Sequence, residues 1–246
     1  MELLYLLSGA GMLENEIQNR ESIANSISRP DTDVTVLEVG VGPLSIESAI
    51  EEYMAIGPML QKMREIGNEE YQAIIIGCAG DPGLKPAREL LSIPVIGPTE
   101  SSYHLAYMIS DRFSIISILS AGVASGDSTR IQVREMGLET RLASIEFIQV
   151  AVADMWGKNR ELVTDQIINA AESAKRKRAG CVVLGCMSMA FLLVDEIVEQ
   201  KTRLPVINPL KVAIKTAETF VDLKLKHSWI TYPPANNEKL NKTVFL

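Results

Sequence analysis

Two short stretches constrain this 246-residue chain more than any others: Ile74-Ile75-Ile76-Gly77-Cys78-Ala79-Gly80 and Val182-Val183-Leu184-Gly185-Cys186-Met187-Ser188. Each is an apolar, β-branched run that ends in Gly-Cys. Such a run reads as a buried parallel strand whose carboxyl end delivers one side chain to a crevice. The segment after each cysteine also repeats. An amphipathic stretch leads to Ile93-Pro94-Val95-Ile96-Gly97-Pro98 in one copy and to Leu204-Pro205-Val206-Ile207-Asn208-Pro209 in the other. The cysteines lie 108 residues apart and the prolines at 94 and 205 lie 111 apart. Leu7-Ser8-Gly9-Ala10-Gly11 aligns with Leu119-Ser120-Ala121-Gly122 at an offset of 112. A duplicated strand with a thiol at the same place predicts two thiols facing one site.

Strand and helix patterns alternate along the chain, with short Gly/Pro-containing joints, which predicts parallel sheets covered by helices. In the first half, strands are expected at 2–7 and 34–39, in the Ile74-Ile75-Ile76 run that ends at Cys78, and at 94–97. Helices are expected to about Ser28, from Ile46 to Ile66, from an Asp81-Pro82 start, and from Thr99 or Glu100. The second half repeats the scheme, with strands at 112–119, 140–143, 181–186 and 204–207. Its helices are expected to Met136, over 159–177, 188–199 and 209–223. The expected class is α/β: two similar lobes, each a parallel sheet flanked by helices, related by a pseudo-twofold axis, with the active site in the cleft between them. Lobe 1 is expected over 1–97 plus 208–230, lobe 2 over 98–207, and a polar tail over 231–246. Ligands of open α/β sheets bind outside the carboxyl ends of the strands, and here those ends carry Ser8, Cys78, Ser120 and Cys186.

Composition removes several classes of function. The net charge of −7 argues against a nucleic-acid partner. The one basic cluster, Lys175-Arg176-Lys177-Arg178, ends a predicted helix and reads as a solvated cap on the negative helix terminus. No apolar run approaches a membrane span, and the first residues read as a strand rather than a signal peptide. Three cysteines without an export signal predict free thiols in a reducing cytoplasm. With only His104 and His227 available, a zinc site is not expected. Gly40-Val41-Gly42-Pro43 lacks the third glycine of a dinucleotide fingerprint, so no cofactor is expected. A small-molecule ligand is the expected partner, with a homo-oligomer as the base-rate assembly.

The chemistry then turns on the thiols. A cysteine at a strand exit, with a helix starting beyond it, is expected to have its pKa drawn from about 8.5 towards neutrality. Protease-type nucleophilic catalysis wants a histidine in contact, and nothing places His104 beside either cysteine. Two separated thiols are too few for a metal. Acid–base work on opposite faces of a carbon remains, with Gly-rich turn amides and the Ser8, Ser120 and Ser188 hydroxyls as donors to the carbonyl oxygen of the carbanion. The competing reading is structural, because free cysteine is among the most buried residue types. Cys181, inside its strand, is assigned to that class, whereas repetition at the strand exit favours function for Cys78 and Cys186. Met187 and Met189 read as pocket wall or core, and the serines equally as turn or cap residues.

The segments IIIGCAGDPGLKPARELLSIPVIGPTE, VVLGCMSMA with LPVIN, and GPLSIESAIEEY resemble the aspartate/glutamate/hydantoin racemase superfamily, and most closely its hydantoin and allantoin racemase branch. The resemblance covers roughly residues 2–225. It implies a two-lobed fold and cofactor-independent two-base proton transfer. Carried over, it makes Cys78 and Cys186 the two acid–base catalysts. The backbone at Ala79-Gly80 and Met187-Ser188, with the turn at Ser120, becomes the substrate anchor, and Glu100 a further substrate contact. Two stretches depart from the branch's pattern. Ser8-Gly9-Ala10-Gly11 stands where Asn-Pro-Asn-Thr/Ser is usual, and Met187-Ser188-Met189 where Ala-Gly-Met is frequent.

The leading expectation is a racemase acting at a carbon next to a carbonyl, on a 5-substituted hydantoin or allantoin. Alternatives within the superfamily are an aspartate or glutamate racemase, a maleate-type cis–trans isomerase, or a decarboxylase, against which the second cysteine counts. From another class, the lobes could close on a small ligand without chemistry. Lys85 and Arg88 are the only basic residues that adjoin the predicted strand ends, which tips the expectation towards a neutral, cyclic substrate.

Overall fold

The computed structural model describes residues 1–67, 70–120, 123–124, 126–152, 155 and 160–242, with the side chains of 120, 123, 124, 126, 127, 237 and 241 excepted. In the first half, β1 (Glu2–Leu7), α1 (Glu14–Ile27), β2 (Asp33–Glu38), α2 (Ala49–Ile66), β3 (Ala73–Ile76), α3 (Leu84–Leu90), β4 (Val95–Ile96) and α4 (Pro98–Ile109) alternate. The second half runs β5 (Phe113–Ser120), β6 (Val123–Ala124), α5 (Gly126–Glu135), a 3-10 turn at Glu139–Arg141, β7 (Leu142–Ile148), α6 (Arg160–Arg176), β8 (Cys181–Leu184), α7 (Met187–Phe191), α8 (Asp195–Thr202), β9 (Val206–Ile207), α9 (Pro209–Asp222) and α10 (Asn237–Asn241).

The strands form two parallel sheets of the same order. One runs β2-β1-β3-β4, the other β7-β5-β8-β9, and the short β6 folds back antiparallel on the end of β5. Their registers correspond, Leu6 pairing with Ile76 in one and Ile116 with Leu184 in the other. Alternation along each strand splits its side chains between two cores. Leu3, Tyr5 and Ile75 face α1 and α9, whereas Leu4, Leu6 and Ile76 face the Met59, Met63 and Ala87 side. In the other sheet Phe113 and Ile115 pack with Tyr103 and Val133, and Ile116 and Leu184 with Val163 and Ile167. Each fully buried Leu or Ile contributes about 1.5–3 kcal/mol.

The helix after each lobe's last strand packs across the junction. α4 follows β4 yet contacts β8, while α9 follows β9 yet contacts β3, β4 and α1. The two helices also pack on each other. Phe191 of α7 joins the core around Tyr5, edge to face at 5.5 Å.

Four expectations need correction. Asp81 does not cap α3, which starts at Leu84 behind a left-handed Gly83 (φ 66°). Its carboxylate instead accepts from the Thr99 and Glu100 amides at 3.0 and 2.8 Å, and so caps α4. The strand expected at 140–143 is Leu142–Ile148. Its polar Ser144 and Glu146 hid the pattern, and they are buried because Ser114, Ser144, Glu146 and Lys177 bond to one another. The single helix expected over 188–199 is two, α7 and α8, broken at Leu193 (φ 49°). There Asn208 donates one amide to the Ala190 carbonyl and to Asp195. The segment read as a tail from 231 is anchored: Arg88 donates to the Tyr232 hydroxyl at 3.2 Å and the Ala235 amide to the Glu89 carbonyl at 2.9 Å. Just before it, His227 accepts the Val95 amide at 2.9 Å, which closes the exposed edge of β4.

Both Gly-Cys joints are sterically dictated. The Gly77 amide donates to the Leu6 carbonyl and the Gly185 amide to the Ile116 carbonyl, each at 2.7 Å. A Cβ on Gly77 would lie 2.6 Å from the Leu6 oxygen, and one on Gly185 2.9 Å from Ile115 and 3.0 Å from the Ile116 oxygen. Gly77→Ala is therefore expected to lower stability by about 1–3 kcal/mol. Denaturant titration checks this; an unchanged stability of Gly77→Ala would contradict the steric account.

Candidate active site

β1, β3, β5 and β8 point their carboxyl ends at one cavity of about 360 Å³, lined by residues from both halves of the chain. Cys78 and Cys186 are each one residue past their Gly joint, and both line it. Of the other sequence-derived candidates, Ser8, Ala79, Gly80, Met187 and Ser188 line the cavity too. The backbone of Ser120 ends β5, and its side chain lies outside the described residues. Cys181 is fully buried in β8, its thiol 3.7 Å from the Ala106 carbonyl.

Glu100 is not among the residues that line the cavity. Both its carboxylate oxygens are held by the Arg88 guanidinium, and its amide by Asp81. His104 sits on the exposed side of α4, its Nδ1 at 2.7 Å from the Glu100 carbonyl oxygen.

The turn after Cys78 is fully engaged. Thr99 Oγ1 donates to the Ala79 carbonyl at 2.5 Å, and Gln132 Nε2, from α5, donates to the Gly80 carbonyl at 2.8 Å. The Gly80 amide points at the Cys78 sulfur, 3.3 Å away, so it serves the thiol rather than the open cavity. Ser8 is the opposite case. Ser8 lines the cavity at 3 % exposure, and its buried hydroxyl has no hydrogen-bond partner among the described residues. A buried donor left without a partner is costly, and a ligand carbonyl oxygen would supply one.

Arg20 is the residue that sequence reasoning missed. It lies on the buried stripe of α1 with Ala24, and it lines the cavity at 3 % exposure. Nε donates to Glu16 at 3.1 Å, Nη2 donates to Ser188 Oγ at 3.3 Å, and the group lies 4.6 Å from the centre of the Phe191 ring. The signal was a cation three residues after Ile17 and four before Ala24, in the apolar register of an otherwise amphipathic helix. Lys85 and Arg88, the cations the sequence pointed to, instead pair with Glu135 and Glu100. Glu52 was missed for the same reason. It shares the stripe of α2 with Ala55, Met59 and Met63 and reaches the cavity. Burial, and then Glu135, push its carboxyl above the usual range.

The expected fall in thiol pKa is reversed. Burial outweighs the Gly80 amide at Cys78, and with the charges of Cys186, Glu52 and Asp81 added it pushes that thiol up to about 12. Burial also raises Cys186, but there the amides of Met189 and Ser188, the charge of Arg20 and the Ser188 hydroxyl all oppose it. Carboxylates surround one sulfur; donors and a cation surround the other.

Proteins named as racemases match this chain in sequence, and solved racemases match it in fold. The sequence profile of the Asp/Glu/hydantoin racemase family matches residues 17–217. The chain belongs to this family. A hydantoin racemase of Pseudomonas sp. (strain NS671) is 32% identical over 209 residues, 85% of this chain and 82% of that protein. The allantoin racemase of Klebsiella pneumoniae is 26% identical and superposes with a TM-score of 0.83 over 96% of this chain and 95% of its own. The allantoin racemase of Pseudomonas fluorescens, at 23% identity, shares the fold over the full length of both chains with a TM-score of 0.87. As a member of a racemase family with this paired-lobe fold, the chain is an isomerase of the hydantoin and allantoin racemase branch.

Alkylation depends on the thiolate, so the two environments predict an order. With iodoacetamide and site-resolved mass spectrometry across rising pH, Cys186 is expected to label before Cys78, and Cys181 only on unfolding. Labelling of Cys78 first would contradict the assignment of environments.

Proposed function

We propose that this racemase inverts the stereocentre of a hydantoin-type substrate, a 5-substituted hydantoin or allantoin, by proton transfer between two cysteines and without a cofactor. The observation that carries the reading is that Cys78 and Cys186 leave corresponding strands of the two lobes and line one cavity. In a hydantoin the C5–H is acidified by the adjacent carbonyl. The Cys186 thiolate removes that proton from one face, and the electron pair delocalises onto the carbonyl oxygen as an enolate. The Cys78 thiol then delivers its proton to the opposite face of the same carbon. After turnover Cys186 is the thiol and Cys78 the thiolate, ready for the other enantiomer, or exchange with solvent resets the pair. General acid–base catalysis of this kind contributes typically 10²–10⁴-fold.

Ser8 Oγ is the donor suited to the enolate oxygen, because Ser8 lines the cavity and its buried hydroxyl is without a partner among the described residues. The electrostatics of the wall support a neutral ring over a dicarboxylate. Arg20 adjoins the site, against the sequence expectation, yet its charge is already paired with Glu16. Glu38, Glu47 and Glu52 line the same cavity, where they can accept ring N–H groups and repel aspartate, glutamate or maleate.

The test is polarimetry on single enantiomers of allantoin, 5-substituted hydantoins, aspartate and glutamate, with maleate followed by its alkene signal. Decay of rotation is expected for a hydantoin-type compound, and Cys78→Ser and Cys186→Ser are each expected to lose about 10²-fold or more in turnover. Racemisation that survives both substitutions would remove the two-thiol mechanism. Ligand affinity without any turnover would make the protein a binding module.

A further inference from the structure

The pseudo-twofold axis makes the lobes alike, but the residues that cross it are not. Arg20 on α1 of the first lobe reaches the turn after the second lobe's cysteine, donating to Ser188. Gln132 stands 112 residues further on, the same offset that relates Ser8 to Ser120. From α5 of the second lobe it reaches the turn after the first lobe's cysteine, donating to the carbonyls of Gly80 and Ala79 at 2.8 and 3.4 Å. One crossing thus brings a cation towards Cys186, and its counterpart brings a neutral amide to Cys78.

We propose that Arg20 and Ser188 form a positioning relay that makes Cys186 the resting thiolate, with Gln132 at the equivalent place leaving Cys78 as the resting thiol. The inference rests on the reading of these cysteines as the two proton carriers. Arg20 Nη2 donates to Ser188 Oγ, and the Ser188 hydroxyl in turn hydrogen-bonds the Cys186 sulfur. A hydroxyl that accepts from a cation is a stronger donor in turn. The guanidinium is held for this task by Glu16 on its own helix and by the Phe191 ring of α7. Its 3 % exposure keeps solvent from screening the charge.

Among the described residues, the ionisable groups that face Cys186 are Tyr5 of β1, Cys78 after β3, and Arg20 of α1 with Glu16 behind it. Glu38, Glu47 and Glu52 line the cavity with it. Arg20 is the one cation among these described groups, so its removal takes positive charge away from the sulfur. The direction of the effect at Cys186 is therefore fixed.

The experiment is the pH dependence of iodoacetamide labelling at Cys186 and at Cys78, read site by site in the full chain without substrate. The variants are Arg20→Gln, Arg20→Lys and Ser188→Ala, with thermal unfolding measured on each. In Arg20→Gln, which copies the Gln132 side, the Cys186 midpoint is expected to rise by about 1–2 pH units, towards that of Cys78. Ser188→Ala, which removes only a hydroxyl and serves if the arginine variants do not fold, is expected to raise it as well. Arg20→Lys is expected to restore part of the shift, and the Cys78 midpoint, coupled to Cys186 only through its charge, to move less than that of Cys186 throughout. An unmoved Cys186 midpoint in folded Arg20→Gln or Ser188→Ala would overturn the relay. Equal movement at both cysteines would overturn it too, because it would report a general loosening of the site. Failure of the underlying reading looks different: the Cys186 midpoint moves, yet Cys186→Ser racemises at the wild-type rate.

Discussion

Two backbone hydrogen bonds set the conditions for everything else in this molecule. At the end of β3 the Gly77 amide donates to Leu6, and at the end of β8 the Gly185 amide donates to Ile116. Both are 2.7 Å long, and both hold the chain so close to the neighbouring strand that a Cβ would collide with its backbone or side chains. The bonds extend the sheet by one residue at the point where the chain must leave it. The next side chain is thereby thrown into the space beyond the carboxyl ends, the position that open α/β sheets offer to ligands. Because the geometry occurs twice, two cysteines arrive at one cavity. The exchange of α4 and α9 between the lobes, together with Phe191 against Tyr5, holds the two halves in that relation.

Duplication delivers two thiols of the same kind, whereas proton transfer between opposite faces needs a base and an acid at the same moment. The lobes differ where that distinction is made. The Cys78 sulfur has one amide to favour its anion and the carboxylates of Glu52 and Asp81 to oppose it. The Cys186 sulfur has two amides, a hydroxyl and a guanidinium. Burial is the larger influence on both and raises both, but more groups oppose it at Cys186, which is therefore the more readily ionised of the two. In such a site a thiolate is a strong base towards carbon, because little water remains to stabilise it. The cavity trades abundance of the thiolate for basicity.

Much of this was legible before any coordinates. Gly-Cys at the end of an apolar run, repeated at a spacing of 108 residues, carried both the paired sheets and the position of the thiols, because parallel strands announce themselves by continuous β-branched residues. The hidden part has one physical origin: side chains that act on another part of the chain. Arg20 and Glu52 are charges on helices, and only the docking of α1 and α2 turns them inward. Asp81 has the look of a cap for the helix next to it, and it caps α4 instead. Ser144 and Glu146 broke the strand pattern of β7, since their mutual hydrogen bonds let polar groups occupy buried positions. Glu100 matched a family position, but Arg88 holds it outside the cavity. The thiol pKa was misjudged for a related reason. The sequence shows the helix start beside each cysteine but not the depth of burial that outweighs it.

The most direct measurement of the two-thiol account is the fate of the C5 hydrogen during one-way conversion in deuterium oxide, started from a single enantiomer of a hydantoin-type substrate and followed by proton NMR. With a base on one face and a separate acid on the other, each newly formed product molecule carries deuterium from the second thiol while the remaining substrate keeps its protium. Deuterium appearing equally in product and in recovered substrate from the first turnovers would contradict the account, because it would mean that one group both removes and returns the proton.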